Sequence, residues 1–140
     1  MTLFTLESNK KALLLRVFIY VGITAFIALF GFVYEQFSHN VHTPYMWFAW
    51  VWTFGFGLIP YLLLYLLPIK KMPGLISESI YNLGVALITV RSVFKGVIII
   101  YNTTNGPMVT IYTILSIVSL SLGVTLFIVG FFINEREKEL

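Results

Sequence analysis

Four long apolar runs, separated by short polar segments, dominate the pattern of hydrophobic and polar positions along the chain. Each run has about the 20 residues that an α-helix needs to cross the hydrocarbon core of a bilayer. The apolar residues lack both the alternation of a half-buried strand and the single stripe of a surface helix. We therefore predict an all-α integral membrane protein with four transmembrane helices, over residues 12–34, 45–67, 80–101 and 109–133.

The polar segments between these runs are short, which constrains the order of the helices. Residues 35–44 and 102–107 form the connections on one side, and residues 68–77 join the second span to the third. Short connections make consecutive helices antiparallel neighbours. We predict an up-down-up-down bundle that forms a single domain over residues 1–140.

The composition agrees with a membrane protein and removes several classes of function. Hydrophobic residues make up 59% of the chain and charged residues 11%, whereas soluble domains carry about 25% charged residues. The chain has no cysteine, which excludes disulfides, thiolate catalysis, Fe–S clusters and zinc–thiolate sites. Aspartate is absent, and the sequence offers no nucleophile–base pair, carboxylate dyad or phosphate-binding glycine loop. We therefore expect that the protein is not an enzyme.

The basic residues outside the third span predict the orientation. All of them flank the spans on one side, whereas the segments 35–44 and 102–107 hold no Lys or Arg. By the positive-inside rule both termini are cytoplasmic. The net charge of +3 then comes from basic residues at the membrane edge. It does not indicate nucleic-acid binding, so we expect no nucleic-acid partner. We expect a multi-pass protein of a cell membrane. The composition, which lacks cysteine and contains many Ile and Phe residues, fits the bacterial cytoplasmic membrane. The flanking residues are Lys10, Lys11, Arg16, Lys70, Lys71, Arg136 and Lys138.

The third predicted span carries two positive charges at membrane depth. Arg91 and Lys95 are four residues apart, so they share one face of a helix. Arg91 lies close to the centre of the predicted span, and Lys95 lies roughly 6 Å further out. A charged side chain inside the bilayer is expensive and by default indicates a functional site. Tyr81 and Asn102 lie on the same face.

No acidic residue of the predicted spans lies at the depth of Arg91. Glu35 lies at the outer boundary, within the extended reach of Lys95, and Glu78 lies at the inner boundary. Three alternatives remain for Arg91. In the first, Arg91 is buried against hydroxyls and backbone carbonyls, such as those freed near Pro60, while Lys95 extends to the surface. In the second, a partner protein supplies an acidic group. In the third, Arg91 binds an anionic ligand such as a lipid headgroup, a small anion or a quinone-like carbonyl compound. The predicted ligand or partner contacts are Arg91, Lys95, Glu35, Tyr81 and Asn102.

Both histidines lie in the first outer connection. His39 and His42 are three residues apart, and Glu35 lies one turn before His39. If the first helix extended beyond the bilayer, these three side chains would share a face that suits a divalent metal or haem. A hydrogen-bonded cap over the end of the bundle is favoured over such ligation, because Asn40 and Pro44 favour a turn in this segment. We therefore predict no cofactor and keep haem or metal as the alternative.

Small residues predict close contacts between helices. Gly31 lies on a stripe of small side chains in the first span, and Ser119 and Gly123 form a small-xxx-small pair in the fourth. Gly55, Gly57 and Pro60 predict a kinked or loosened helix in the second span, since proline cannot donate a backbone hydrogen bond.

Three functions agree with these features. The first is an accessory or assembly subunit of a larger membrane complex, in which Arg91 and Lys95 contact a partner or an anionic ligand. The second is a homo-oligomeric small anion transporter or channel. The third is a haem-, metal- or quinone-binding membrane redox protein. The expected partners are membrane lipids and either another membrane protein or a second copy of the chain.

Overall fold

The structure is a computed structural model that describes residues 3–38, 41–67, 72, 74–101 and 106–139. The described part of the chain is helical apart from short connections. Its helices are α1 (Leu3–Gln36), α2 (Pro44–Trp47), α3 (Ala49–Trp52), a π-helical turn (Thr53–Leu58), α4 (Ile59–Leu66), α5 (Leu75–Ile100) and α6 (Pro107–Glu139).

Four helical segments are long and apolar enough to cross a membrane. They are Glu7–Gln36, Ala49–Leu66, Leu75–Ile100 and Pro107–Gly130. The prediction of an all-helical fold with four helices long and apolar enough to span a membrane is therefore confirmed, which supports a multi-pass membrane protein. The alternation of direction and the cytoplasmic termini stay predictions. The third span begins at Leu75, five residues before the predicted start, because its polar first turn continues the helix.

The second span is interrupted by a π-helical turn. The N–H of Ile59 donates to the carbonyl of Phe54, five residues back, which is the hydrogen-bond spacing of a π-helix. Pro60 follows in the first turn of α4, where its missing N–H is tolerated. The sequence indicated a kinked or loosened helix at Gly55, Gly57 and Pro60, and the structure has a widened turn at this place.

The core forms where α1, the second span and α5 meet. Its buried residues are Leu13, Tyr20, Tyr61 and Val85. The helix α6 packs along α5, and its other side is exposed, with Ile117 58% and Leu122 49% accessible. Such an apolar surface is compatible with lipid or with another membrane helix.

Glycines mark the closest contacts between the helices. A Cβ atom at Gly31 would lie 2.8 Å from the Met46 carbonyl oxygen, and one at Gly57 would lie 2.2 Å from the Tyr20 ring. A Cβ atom at Gly123 would lie 2.7 Å from the Tyr81 Cβ. Only glycine allows helices to approach this closely.

The other residues predicted for packing lie in different surroundings. Gly55 has no atom within 4 Å of where its Cβ would be, and Ser119 is half-buried. Gly84, which the sequence did not single out for packing, takes a close contact instead: its Cβ would lie 2.7 Å from the Leu120 nitrogen.

Candidate functional site

A groove between α5 and α6 is lined by both cations of the third candidate span. It has a volume of about 340 Å³, at the lower end of the range for small-molecule pockets. The helix α5 contributes Arg91 and Lys95, which lie one turn apart, and the first two turns of α6 form the opposite wall. The lining residues are Arg91, Lys95, Gly106, Val109, Thr110, Thr113 and Ile114.

Arg91 is half-buried and held by α6. Its Nε donates to the Thr113 hydroxyl oxygen over 2.7 Å, and that hydroxyl donates to the Val109 carbonyl oxygen over 2.7 Å. The Thr113 hydroxyl therefore donates its proton to a carbonyl of its own helix and accepts the Arg91 N–H with a lone pair. This contact fixes one edge of the guanidinium plane and leaves its terminal nitrogens without a hydrogen bond to any described residue.

Lys95 is oriented by Tyr45, the second residue of α2. Its Nζ donates to the Tyr45 hydroxyl over 2.9 Å and lies 4.1 Å from the centre of the same ring. Tyr45 precedes the segment Ala49–Leu66, and the hydrogen bond from Lys95 lowers the pKa of its hydroxyl. Among the described residues Glu35, which the sequence places within reach of Lys95, pairs with His42 instead.

Neither cation of the groove has an anionic partner in the part of the chain that the structure describes. The ion pairs found there are Lys11–Glu7, Arg16–Glu78 and His42–Glu35. The groove therefore keeps two positive charges. The first turn of α6 adds to this potential, because the N-terminal end of a helix carries a partial positive charge.

Glu35, at the end of α1, is hydrogen-bonded to the connection that leads to α2. The whole residue is 3% exposed, and its carboxylate accepts the Thr43 N–H over 3.0 Å. The other carboxylate oxygen lies 3.0 Å from the His42 Nδ1. The sequence favoured a hydrogen-bonded cap over metal or haem ligation in this connection, and the contacts of Glu35 with His42 and Thr43 are hydrogen bonds of that kind.

The remaining predicted contacts lie away from the groove or cannot be placed. Tyr81 contacts the backbone of the second span, with its hydroxyl 2.7 Å from the Phe56 carbonyl oxygen. His39 and Asn102 lie outside the described residues, so the Glu35–His39–His42 ligand set stays a prediction. The described residues contain no group of three side chains that could hold a metal ion.

A second polar cluster lies at the opposite end of the bundle, near the start of α5. The Arg16 guanidinium donates through Nε and Nη2 to the Glu78 carboxylate, the latter over 2.7 Å. The hydroxyls of Tyr20 and Tyr61 lie 2.8 and 2.9 Å from the Asn82 Oδ1. This cluster joins α1, α4 and α5 and stabilises the bundle.

This cluster is not among the sites predicted from the sequence, although the sequence contains a signal for it. Arg16 and Tyr20 are four residues apart on the first span, and Glu78 and Asn82 are four apart on the third. In the predicted up-down-up-down order the first and third spans begin on the same side, so two matched polar pairs near these two starts predict a shared network. The sequence predictions instead treat Arg16 as a flanking charge and Glu78 as a residue at the inner boundary of the third span.

An apolar groove lies beside this cluster, between α4 and α6. It has a volume of about 380 Å³. Glu78 and Tyr81 line it from α5, and most of its other lining residues are apolar. The Ser77 hydroxyl donates to the Gly123 carbonyl oxygen over 2.7 Å and so attaches α6 to this end of α5.

Comparison with protein-family models, with curated proteins and with solved structures finds no match to this chain.

Proposed function

We propose that the protein is an accessory subunit of a larger complex in the cell membrane, and that Arg91 and Lys95 form its binding site for an anionic group. The observation that carries this proposal is the cationic groove between α5 and α6. A guanidinium inside a bilayer is expensive, and the described residues offer Arg91 only a neutral hydroxyl. The negative charge that balances Arg91 therefore comes from outside the described part of the chain.

The packing of α6 supports a role in assembly. One side of α6 packs on α5, and its opposite side is apolar and exposed along most of the span. A second membrane protein that packed on this surface would lie next to the groove. The exposed apolar side and the two unbalanced charges would then be covered together.

A small anion transporter or channel is the second candidate, because the groove holds two cations. The α5–α6 contacts at Gly84 and Gly123 lie nearer to Glu78 than the groove does. The backbones approach too closely there for a passage between these two helices. Transport would therefore need a path formed by several copies of the chain, whereas an accessory subunit needs only the groove.

Purification in mild detergent, followed by mass analysis of everything bound, tests the proposal. We expect a stoichiometric protein partner with the natural chain and with Lys11→Gln, which removes an exposed cation outside the groove. We expect loss of that partner with Arg91→Gln. A stable homo-oligomer with no other protein bound would contradict the proposal. Anion flux into liposomes that Arg91→Gln abolishes would favour the transporter.

A further inference from the structure

The geometry of the groove points to a phosphate group as the anion that it binds, with Arg91 as the principal donor. This inference rests on the anion site of the proposed function and names its ligand class. Arg91 has five N–H donors in one plane, and the Thr113 contact at Nε orients that plane. No described residue accepts a hydrogen bond from the terminal nitrogens, which can pair with two oxygens of one anion, the pairing in which arginine exceeds lysine.

Lys95 supplies a second, separately held donor. Its ammonium has three N–H donors, and Tyr45 accepts one of them. Like charges four residues apart on a helix repel each other, and no carboxylate among the described residues relieves Arg91 and Lys95 of this repulsion. An anion between the two cations would remove the repulsion and would use the donors that Tyr45 and Thr113 leave available.

The number and spread of the donors favour phosphate over a carboxylate. A carboxylate has two oxygens in one plane, whereas a phosphate group presents oxygens in several directions. The groove offers cations from α5 and, from the facing wall, the Thr110 side chain and the first turn of α6. The first-turn N–H groups of a helix have no partner within the helix. A tetrahedral anion can accept hydrogen bonds from both walls.

A phospholipid headgroup and free inorganic phosphate share this chemistry. The groove reaches Gly106, which precedes α6, and Val109 and Ile114 form apolar parts of its lining. A phosphate could enter from water near Gly106, or on a lipid whose chains lie along the exposed apolar side of α6. The two sources differ in whether binding needs acyl chains, so one experiment can separate them.

The test measures the thermal unfolding of the full chain in an uncharged detergent. One titration uses sodium phosphate, with sodium chloride at matched ionic strength as its control. The other uses a short-chain phosphatidylglycerol, with a short-chain monoacylglycerol as the uncharged control. A ligand that binds the folded state raises the unfolding temperature. A saturable rise with phosphatidylglycerol alone assigns the site to a lipid headgroup, and a rise with sodium phosphate assigns it to free phosphate.

The variants assign the effect to the groove. We expect Arg91→Gln to weaken half-saturation roughly tenfold or more, and Lys11→Gln to respond as the natural chain does. If Arg91→Gln fails to fold, Arg91→Lys and Thr113→Val serve instead, because they remove the paired donors or their orientation. Each should weaken half-saturation several-fold. No rise with either phosphate source, or an equal rise in all variants, overturns the inference.

The outcomes separate this inference from the proposed function. If a protein partner is bound in an Arg91-dependent way and neither phosphate source stabilises the chain, the phosphate inference fails and the accessory role stands. If a phosphate source binds at Arg91 and no protein partner is ever recovered, the accessory role fails and the phosphate inference stands.

Discussion

The Tyr81 hydroxyl of α5 donates to the Phe56 carbonyl oxygen in the π-helical turn over 2.7 Å. Phe56 lies four residues before Pro60, and an α-helix would pair the carbonyl at this position with the N–H at position 60. Proline has no N–H. The side chain of a neighbouring helix therefore supplies the donor, as membrane interiors require for backbone groups that a proline frees.

Tyr81→Phe should destabilise the bundle by about 1 kcal/mol, because it removes the hydrogen bond that α5 donates to this carbonyl. The measurement is the unfolding midpoint in a graded detergent–denaturant titration. Tyr65→Phe is the control, since the Tyr65 hydroxyl makes no hydrogen bond to the described residues. An equal effect of the two variants would show that the Tyr81 hydroxyl does not stabilise the π-helical turn.

Glu78→Gln should destabilise the protein by about 2 kcal/mol, because it leaves the Arg16 guanidinium without its anionic partner. Fully buried pairs lose about 3–5 kcal/mol when one charge is removed, and the partial exposure of Arg16 reduces this value. Glu7→Gln, which breaks the exposed pair with Lys11, should leave the unfolding midpoint unchanged. Equal shifts of that midpoint by the two substitutions would contradict a stabilising role of the Arg16–Glu78 pair.

The four spans could be predicted because hydropathy alone determines which segments suit a bilayer. The helix α5 begins at Leu75, five residues before the predicted span 80–101, because Ser77 and Glu78 are polar and hydropathy does not count them in a span. Glu78 belongs inside the helix because Arg16 and Tyr61 pair with it. That pairing joins residues 62 positions apart and depends on the rotation of each helix about its axis, which the hydropathy of nearly uniform apolar spans does not determine.

The cations of the candidate site could be predicted, but their partners could not. Arg91 and Lys95 stand out because charge is rare inside spans, and their spacing of four predicts a shared face. Thr113 and Tyr45 are ordinary residues of a membrane helix and of an aromatic belt. Their contacts follow from how α6 and α2 dock on α5, and glycines such as Gly84 set those distances.

Glu35→Ala should destabilise the first connection by about 2 kcal/mol, because it leaves the buried Thr43 N–H without an acceptor. His42→Ala should have a smaller effect, since the His42 side chain is 64% exposed. Hydrogen–deuterium exchange of residues 41–48 measures both variants, and exchange should accelerate more in Glu35→Ala. The reverse order would mean that His42, rather than the Thr43 backbone, holds this connection closed.

Gly31→Ala should destabilise the protein, because the new methyl group would lie 2.8 Å from the Met46 carbonyl oxygen, a backbone atom that cannot simply rotate away. The expected loss is about 2 kcal/mol, as for other overpacked sites. Gly22 is the matched control in the same helix, since nothing lies within 4 Å of its Cβ position. Gly22→Ala should be neutral or should stabilise the helix by up to about 1 kcal/mol. Thermal unfolding of both variants in one detergent decides the matter, because helix propensity alone would shift them in the same direction and the Met46 contact shifts them apart.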